Sequence, residues 1–170
     1  LSAVLIVGGR GDPEAKRVAA AVRARRGNAI WCDTSTFPET RTISVLNGQF
    51  HIGNQRIPAL RSIYLRSLEC NPLAPAHAED LAARPHGLLA QSREKYAVLA
   101  SLVLTLQSEG VRVVNPLEVN AQHSQKPYQL ELLRRAGLPV PRYLATNDPR
   151  AVRRFVRQVK RAVYKPLAGG

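Results

Sequence analysis

At 170 residues the chain has room for one compact domain and part of a second. Its 45% hydrophobic content argues against disorder, and the longest apolar run, Tyr96 to Leu106, is broken by Ser101 and Thr105 and too short to span a membrane. The formal net charge of +13 fits a nucleic acid, an acidic polypeptide or an anionic nucleotide as partner. Much of it falls on arginines of predicted helix faces (Arg23, Arg25, Arg26, Arg150, Arg153, Arg154, Arg157), which are ordinarily solvated, so charge alone does not choose among these. Cys32 and Cys70 match no zinc spacing, and no basic segment precedes the first apolar run. Both features point to a reduced, cytoplasmic protein without membrane association, although a Cys32–Cys70 disulfide stays open.

The first elements read as a βαβ unit. Ala3-Val4-Leu5-Ile6-Val7 is a continuous apolar run closed by Gly8-Gly9, the pattern of a buried parallel strand. Asp12 then caps a helix beginning at Pro13 and stopped by Gly27, with Ala15, Val18, Ala19 and Val22 on one stripe. Ala29–Cys32 forms the next strand, which opens an α/β sheet. Thr42–Leu46 and Gln49–Ile52 flank Asn47-Gly48, a strong hairpin signal, because both turn positions tolerate positive φ. A strand follows at Ser62–Leu65, and the proline-punctuated stretch Glu69 to Pro85 predicts a loop or short irregular helix. Ser92 caps a long helix to Glu109, with Tyr96, Leu99, Val103 and Leu106 on one face, and Val111–Val114 returns as a strand ending at Asn115-Pro116.

A second unit begins near Pro116. Its first helix spans about Pro127 to Ala136, stopped by Gly137, with Leu130 and Leu133 facing inward. Pro139-Val140-Pro141 stiffens the link to a short strand, Arg142–Ala145. Asn147-Asp148-Pro149 starts a helix whose stripe is Val152, Phe155, Val156 and Val159. A last strand, Ala162–Lys165, runs into Pro166-Leu167-Ala168-Gly169-Gly170, as though a loop were cut in mid-motif, so the chain reads as the front part of a larger protein.

Several residues carry chemical possibilities, each with a plain alternative. Lys165, in a strand suited to burial, needs an anion or a watery cleft. A phosphate at the strand end would supply the anion, and Gly169 and Gly170 would let backbone N–H groups approach its oxygens. The alternative is a snorkelling edge-strand lysine. Lys126 stands where a loop becomes a helix and opposes the helix dipole unless an anion binds there; otherwise it is a surface lysine. The polar stretch Leu117–His123 reads as a loop lining a cleft, and Asn115 ends a strand where sheet proteins often bind ligands. Gly8-Gly9-Arg10-Gly11 is a loose phosphate loop that meets neither standard pattern. Tyr64, Arg66 and Arg10 sit at strand ends, from which they could meet a substrate carboxylate; alternatively Tyr64 packs and both arginines face water. His51, His77, His86 and His123 have no metal-ligand spacing, and no triad of a catalytic type can be assembled.

Taken in order, Val113-Val114-Asn115-Pro116, Lys126-Pro127-Tyr128-Gln129-Leu130, Arg135-Ala136-Gly137-Leu138-Pro139-Val140-Pro141, Thr146-Asn147-Asp148-Pro149 and Val163–Gly170 resemble the opening of an ATP-grasp domain. The resemblance is to carboxylate–amine ligases of the glutathione synthetase and ribosomal-protein glutamate ligase type. It implies an α/β fold in which residues 1–112 form an open parallel, partly mixed sheet domain preceding ATP-grasp. Residues 113–170 would then be the first part of an α+β ATP-grasp domain. The strand with Tyr64 and Arg66 is similar to that of peptide-modifying, microviridin-type relatives.

Such enzymes phosphorylate a carboxylate with ATP and let an amine attack the acyl phosphate. By resemblance, Lys126 and Lys165 contact the ATP phosphates and Gly169-Gly170 begin the lid. Tyr64, Arg66 and Arg10 serve the substrate, an acid joined to an amine acceptor that is a small molecule, peptide or protein. Magnesium is implied, with its ligands beyond residue 170, and the 170 residues alone are expected to be inactive. Gln125 departs from the acidic residue many relatives place before the first lysine. Two other readings stand beside this one. One is a non-catalytic basic α/β module binding nucleic acid or an acidic protein; the other is an ATP-grasp relative with a structural or regulatory role. The sequence is compatible with a homo-oligomer and fixes no oligomeric state.

Overall fold

The computed structural model describes residues 3–38, 42–68, 70, 77–122 and 124–166. The chain forms two compact units, Leu1–Pro116 and Leu117–Gly170. The first contains a four-stranded sheet in the order β2-β1-β6-β7, built from β1 (Ala3–Val7), β2 (Asn28–Cys32), β6 (Leu60–Leu65) and β7 (Arg112–Val114). All its neighbours are parallel. Because β7 pairs with β6, the division between units falls after Pro116, a little beyond the expected 112/113 boundary. The hairpin strands do not join this sheet. β3 (Ile43–Leu46), β4 (Gln49–Ile52) and β5 (Gln55–Arg56) form a separate antiparallel sheet. The parallel sheet is therefore unmixed.

Side-chain alternation along β1 separates two apolar layers. Ile6 packs with Ala15 and Ala19 of α1 (Pro13–Ala24), and Ala29, Trp31 and Tyr64 close around them. Leu5 and Val7 point the opposite way and lie opposite Ile63 and Leu65 in the ladder, all four at most 1% exposed. Helix α3 (Pro85–Ser108) adds Leu99, Leu102 and Val103 to the buried set. The small stripe of α1 lets that helix lie close to the sheet. The helix stops at Ala24, and the left-handed position beyond it is Arg26, at φ 59°, one residue before the expected Gly27, whose N–H donates to the Val22 carbonyl at 2.9 Å.

Two boundaries differ from expectation in the middle of the chain. Ser92 lies inside α3, which begins at Pro85, the first position where a proline costs no intrahelical hydrogen bond. The short helix α2 (Ala78–Ala83) precedes it, and Tyr96 is 51% exposed, not on the buried face. The strand β5 gave no signal of its own, being two residues long after the Gly53 turn.

In the second unit, Leu117–Gln122 is a helix, α4, and not the expected loop. It is followed by α5 (Lys126–Arg135) and α6 (Pro149–Val159). Asp148 caps α6, accepting from the N–H groups of Arg150 and Ala151. Helix α5 ends in a left-handed Gly137, with Leu138 N–H donating to the Leu133 carbonyl. Neither Arg142–Ala145 nor Ala162–Lys165 forms a strand. A strand exists through its hydrogen-bonding partner, and the described residues of this unit contain none. No described residue from 117 to 166 is buried; Leu133, expected to face inward, is 42% exposed, and Val163 and Tyr164 are 85% and 90% exposed.

Ile63 sits at the centre of the first unit's packing, so Ile63→Ala should lower stability by about 2–5 kcal/mol in chemical denaturation. A loss well under 1 kcal/mol would show that the core lies elsewhere. On α5, Glu131 binds both Arg134 and Arg135 at 2.8 Å, and hydrogen bonds from first one and then the other guanidinium hold its carboxyl at about 2. This favours the folded state above the ordinary value of 4.5, and the advantage is lost as pH falls toward 2. Carboxyl-detected NMR titration should place the Glu131 transition near the lower value; a midpoint at the ordinary one would dissolve the ion-pair cluster.

Candidate functional site

The topology of the parallel sheet marks out one edge as the candidate site. From β1 the chain crosses to β2 on one side, and β6 joins β1 on the other, so the carboxyl end of β1 is where successive connections diverge. Open α/β sheets bind ligands at such points. Here the exits of three strands are stitched together. Gly8 N–H donates to the Cys32 carbonyl at 3.2 Å, and Arg66 N–H to the Val7 carbonyl at 2.9 Å. Thr34, fully buried, donates through Oγ1 to the Ser67 carbonyl, and Lys95 Nζ of α3 donates to the Thr34 carbonyl at 2.8 Å.

On this edge lie two ion pairs. Arg66 Nε stands 3.0 Å from Asp12 Oδ2, while Asp12 Oδ1 accepts the Ala15 N–H at 2.8 Å as the cap of α1. The Ala15 N–H, together with the charge of Arg66, holds the Asp12 carboxyl below the ordinary carboxylate range. Arg10 Nε lies 3.7 Å from Asp33 Oδ2, and its guanidinium sits 5.8 Å from the centroid of the Trp31 ring. Asp33 also accepts from the N–H and Oγ of Ser35. Arg10 and Arg66 remain substantially exposed at 55% and 42% of their side chains, so both guanidiniums are open to an anion in solution.

The site residues expected from the sequence divide between the two units. Arg10 and Arg66 come together on one sheet edge. Tyr64 belongs instead to the layer beneath α1, with Ile6 and Ala15. Asp12 and Asp33 join the arginines, and Asp33 had gone unremarked because nothing local in Cys32-Asp33-Thr34 marks it; only the strand order brings it to Arg10. In the second unit, Lys126 is the first residue of α5 and half-buried, and Lys165 is exposed on the extended segment after α6. Gly169 and Gly170 lie outside the described residues, as does His123.

Lys126 stands at the positive end of a ten-residue helix whose cap residue, Gln125, makes no side-chain capping hydrogen bond. That setting fits a polyphosphate by charge. Among the described residues no three His, Cys, Asp or Glu side chains converge as metal ligands. No helix among them is long and apolar enough to cross a membrane. Cys32 and Cys70 are thiols, not a disulfide.

The chain matches no family model and no curated protein. Solved structures give a clear likeness. The ATP-grasp ligase PsnB, complexed with a phosphomimetic variant of its minimal precursor, Mg and ADP, is 37% identical and superposes with a TM-score of 0.80 over 98% of this chain and 55% of its own. The macrocyclase MdnB from Microcystis aeruginosa MRC is 26% identical, with a TM-score of 0.69 over 94% of this chain and 52% of its own. MdnC of the same organism, bound with its precursor peptide MdnA, shares the fold at 22% identity and a TM-score of 0.71 over 93% of this chain and 52% of its own. The chain thus spans about half the length of these proteins.

Gly8 has φ 156°, and a Cβ there would stand 3.0 Å from Arg66 Cβ. Gly8→Ala should therefore cost about 1–3 kcal/mol in thermal or chemical unfolding by straining the β1 exit against the β6 exit. An unchanged melting curve would mean that this contact relaxes freely. The parallel sheet with its separate small antiparallel sheet, and the agreement with PsnB along nearly the whole chain, establish that this chain belongs to the ATP-grasp superfamily.

Proposed function

We propose that this chain is the N-terminal portion of an ATP-dependent carboxylate–amine ligase whose substrate is an acidic peptide. The observation that carries the reading is the 37% identity to PsnB across 98% of the chain, because PsnB is a ligase complexed with precursor, Mg and ADP. The glutathione synthetase and ribosomal-protein glutamate ligase likeness of residues 113–170 supports the same chemistry. In this reading Leu1–Pro116 is the domain that precedes ATP-grasp, and Leu117–Gly170 opens the ATP-grasp domain. The exposed Leu133, Val156, Val163 and Tyr164 support it further, since they are apolar surface that more chain would cover.

The reaction has two steps. A carboxylate oxygen of the substrate attacks the γ-phosphorus of ATP, the bond to the β-phosphate oxygen breaks, and ADP leaves. An amine nitrogen then attacks the acyl carbon, phosphate departs with the bonding pair, and the nitrogen sheds a proton to give the amide. In this chain Lys126 and Lys165 offset the polyphosphate charge. Arg66 and Arg10 hold the substrate carboxylate at the sheet edge. Magnesium, when bound, neutralises phosphate charge, with its ligands in the part of the ligase beyond this chain.

In the full-length protein, Lys165→Ala should raise the KM for Mg-ATP about 10- to 100-fold, the worth of one charge-assisted hydrogen bond. Lys126→Ala should act in the same direction and less strongly. Arg66→Ala should raise the KM for peptide while leaving that for ATP unchanged. Unaltered nucleotide affinity and turnover in both lysine variants would overturn the phosphate assignment. Binding of nucleic acid without ATP, falling steeply with salt, would favour the basic-module reading instead.

A further inference from the structure

The structure assigns Asp12 a role that goes beyond capping. We propose that Asp12 is a positioning residue: it fixes the guanidinium of Arg66 through Nε so that the terminal Nη pair is presented to a substrate carboxylate. This rests on the carboxylate reading above and deepens it.

Arg66 is anchored at three levels. Its N–H donates to the Val7 carbonyl at 2.9 Å. Its Cβ packs where only a glycine, Gly8, leaves room on β1. Its head meets Asp12 Oδ2 through Nε at 3.0 Å. That contact uses the edge of the guanidinium nearest the chain. Among the described residues the structure gives the two Nη groups no partner, and those groups form the fork that matches a carboxylate with two parallel hydrogen bonds.

Asp12 can hold Arg66 because it is itself held. One oxygen caps α1 through Ala15 N–H, which leaves the other aimed at Arg66. A cap alone would be served equally well by serine or asparagine, so the cap does not account for a carboxylate here. The ion pair adds little stability of its own, since Arg66 is 42% exposed and the Ala15 N–H is the larger hold on the carboxylate. What the second charged oxygen adds is restriction of a long, rotamer-rich side chain at a site open to solvent, which lowers the ordering cost of binding. Arg10 lacks such a grip: its carboxylate partner stands 3.7 Å away and its guanidinium rests on an aromatic ring.

The test uses the full-length protein, a synthetic peptide bearing glutamate and aspartate, and its glutamine and asparagine counterpart, with dissociation constants measured by calorimetry. Asp12→Asn and Asp12→Ser both keep an oxygen for the Ala15 N–H and remove the charge facing Arg66. Each should weaken binding of the acidic peptide about tenfold, leave ADP binding unchanged, and preserve the melting temperature. In an Arg66→Gln background the Asp12→Asn change should have no further effect, because Asp12 acts only through that side chain. Wild-type preference for the acidic peptide combined with no loss in either Asp12 variant, or with additive losses in the double variant, would overturn the positioning role and leave the carboxylate reading standing. Equal wild-type affinity for both peptides would overturn the carboxylate reading, and the positioning role with it.

Discussion

Everything at the sheet edge depends on β1 being paired along both sides. A strand hydrogen-bonded to β2 and β6 together has no freedom of register, and its exit is drawn against theirs. Gly8 is the price of that closeness, since the β6 exit passes where a side chain would be. Once Gly8 is in place, Asp12 follows at the start of α1, within reach of Arg66, and Arg10 falls beside Asp33. Charged residues far apart in sequence thereby meet on one edge with no binding motif spelled out in any single segment.

The two units illustrate different sources of order. Leu1–Pro116 has a true interior, with Leu5, Ile6, Ile63, Leu99 and Leu102 fully enclosed. Leu117–Gly170 has well-formed helix ends but no buried residue among those described. Asp148 and Gly137 satisfy backbone groups locally, and Glu131 ties two arginines on one turn. Such devices define where helices begin and stop; they do not supply the apolar burial that makes a domain stable by itself. The arginines on α6 are exposed to solvent, and Arg154 pairs with Asp148, the helix's own cap, at 3.8 Å.

Much of the fold was legible from local rules. The βαβ opening, the Asn47-Gly48 turn with both residues at positive φ, and the Asp12 and Asp148 caps all stand where their chemistry predicted. What failed was of another kind. Ala162–Lys165 has strand composition but no pairing partner among the described residues, and Ser92 has cap chemistry but sits inside an apolar helix that Pro85 had already started. The site was half visible: Arg10 and Arg66 could be named as strand-end cations. Their carboxylate partners depended on strand order, which no single segment contains. Tyr64 packs under α1, the plain alternative that its place on the strand had left open.

Trp31 is the one tryptophan among these 170 residues, and it lies on the strand next to β1 with the Arg10 cation near its ring. Indole emission responds to a charge at that range, so the protein carries a built-in optical reporter beside its cationic edge. Any anion that draws Arg10 off the ring alters the colour or intensity of that one fluorophore, with no label attached and no second indole among these 170 residues.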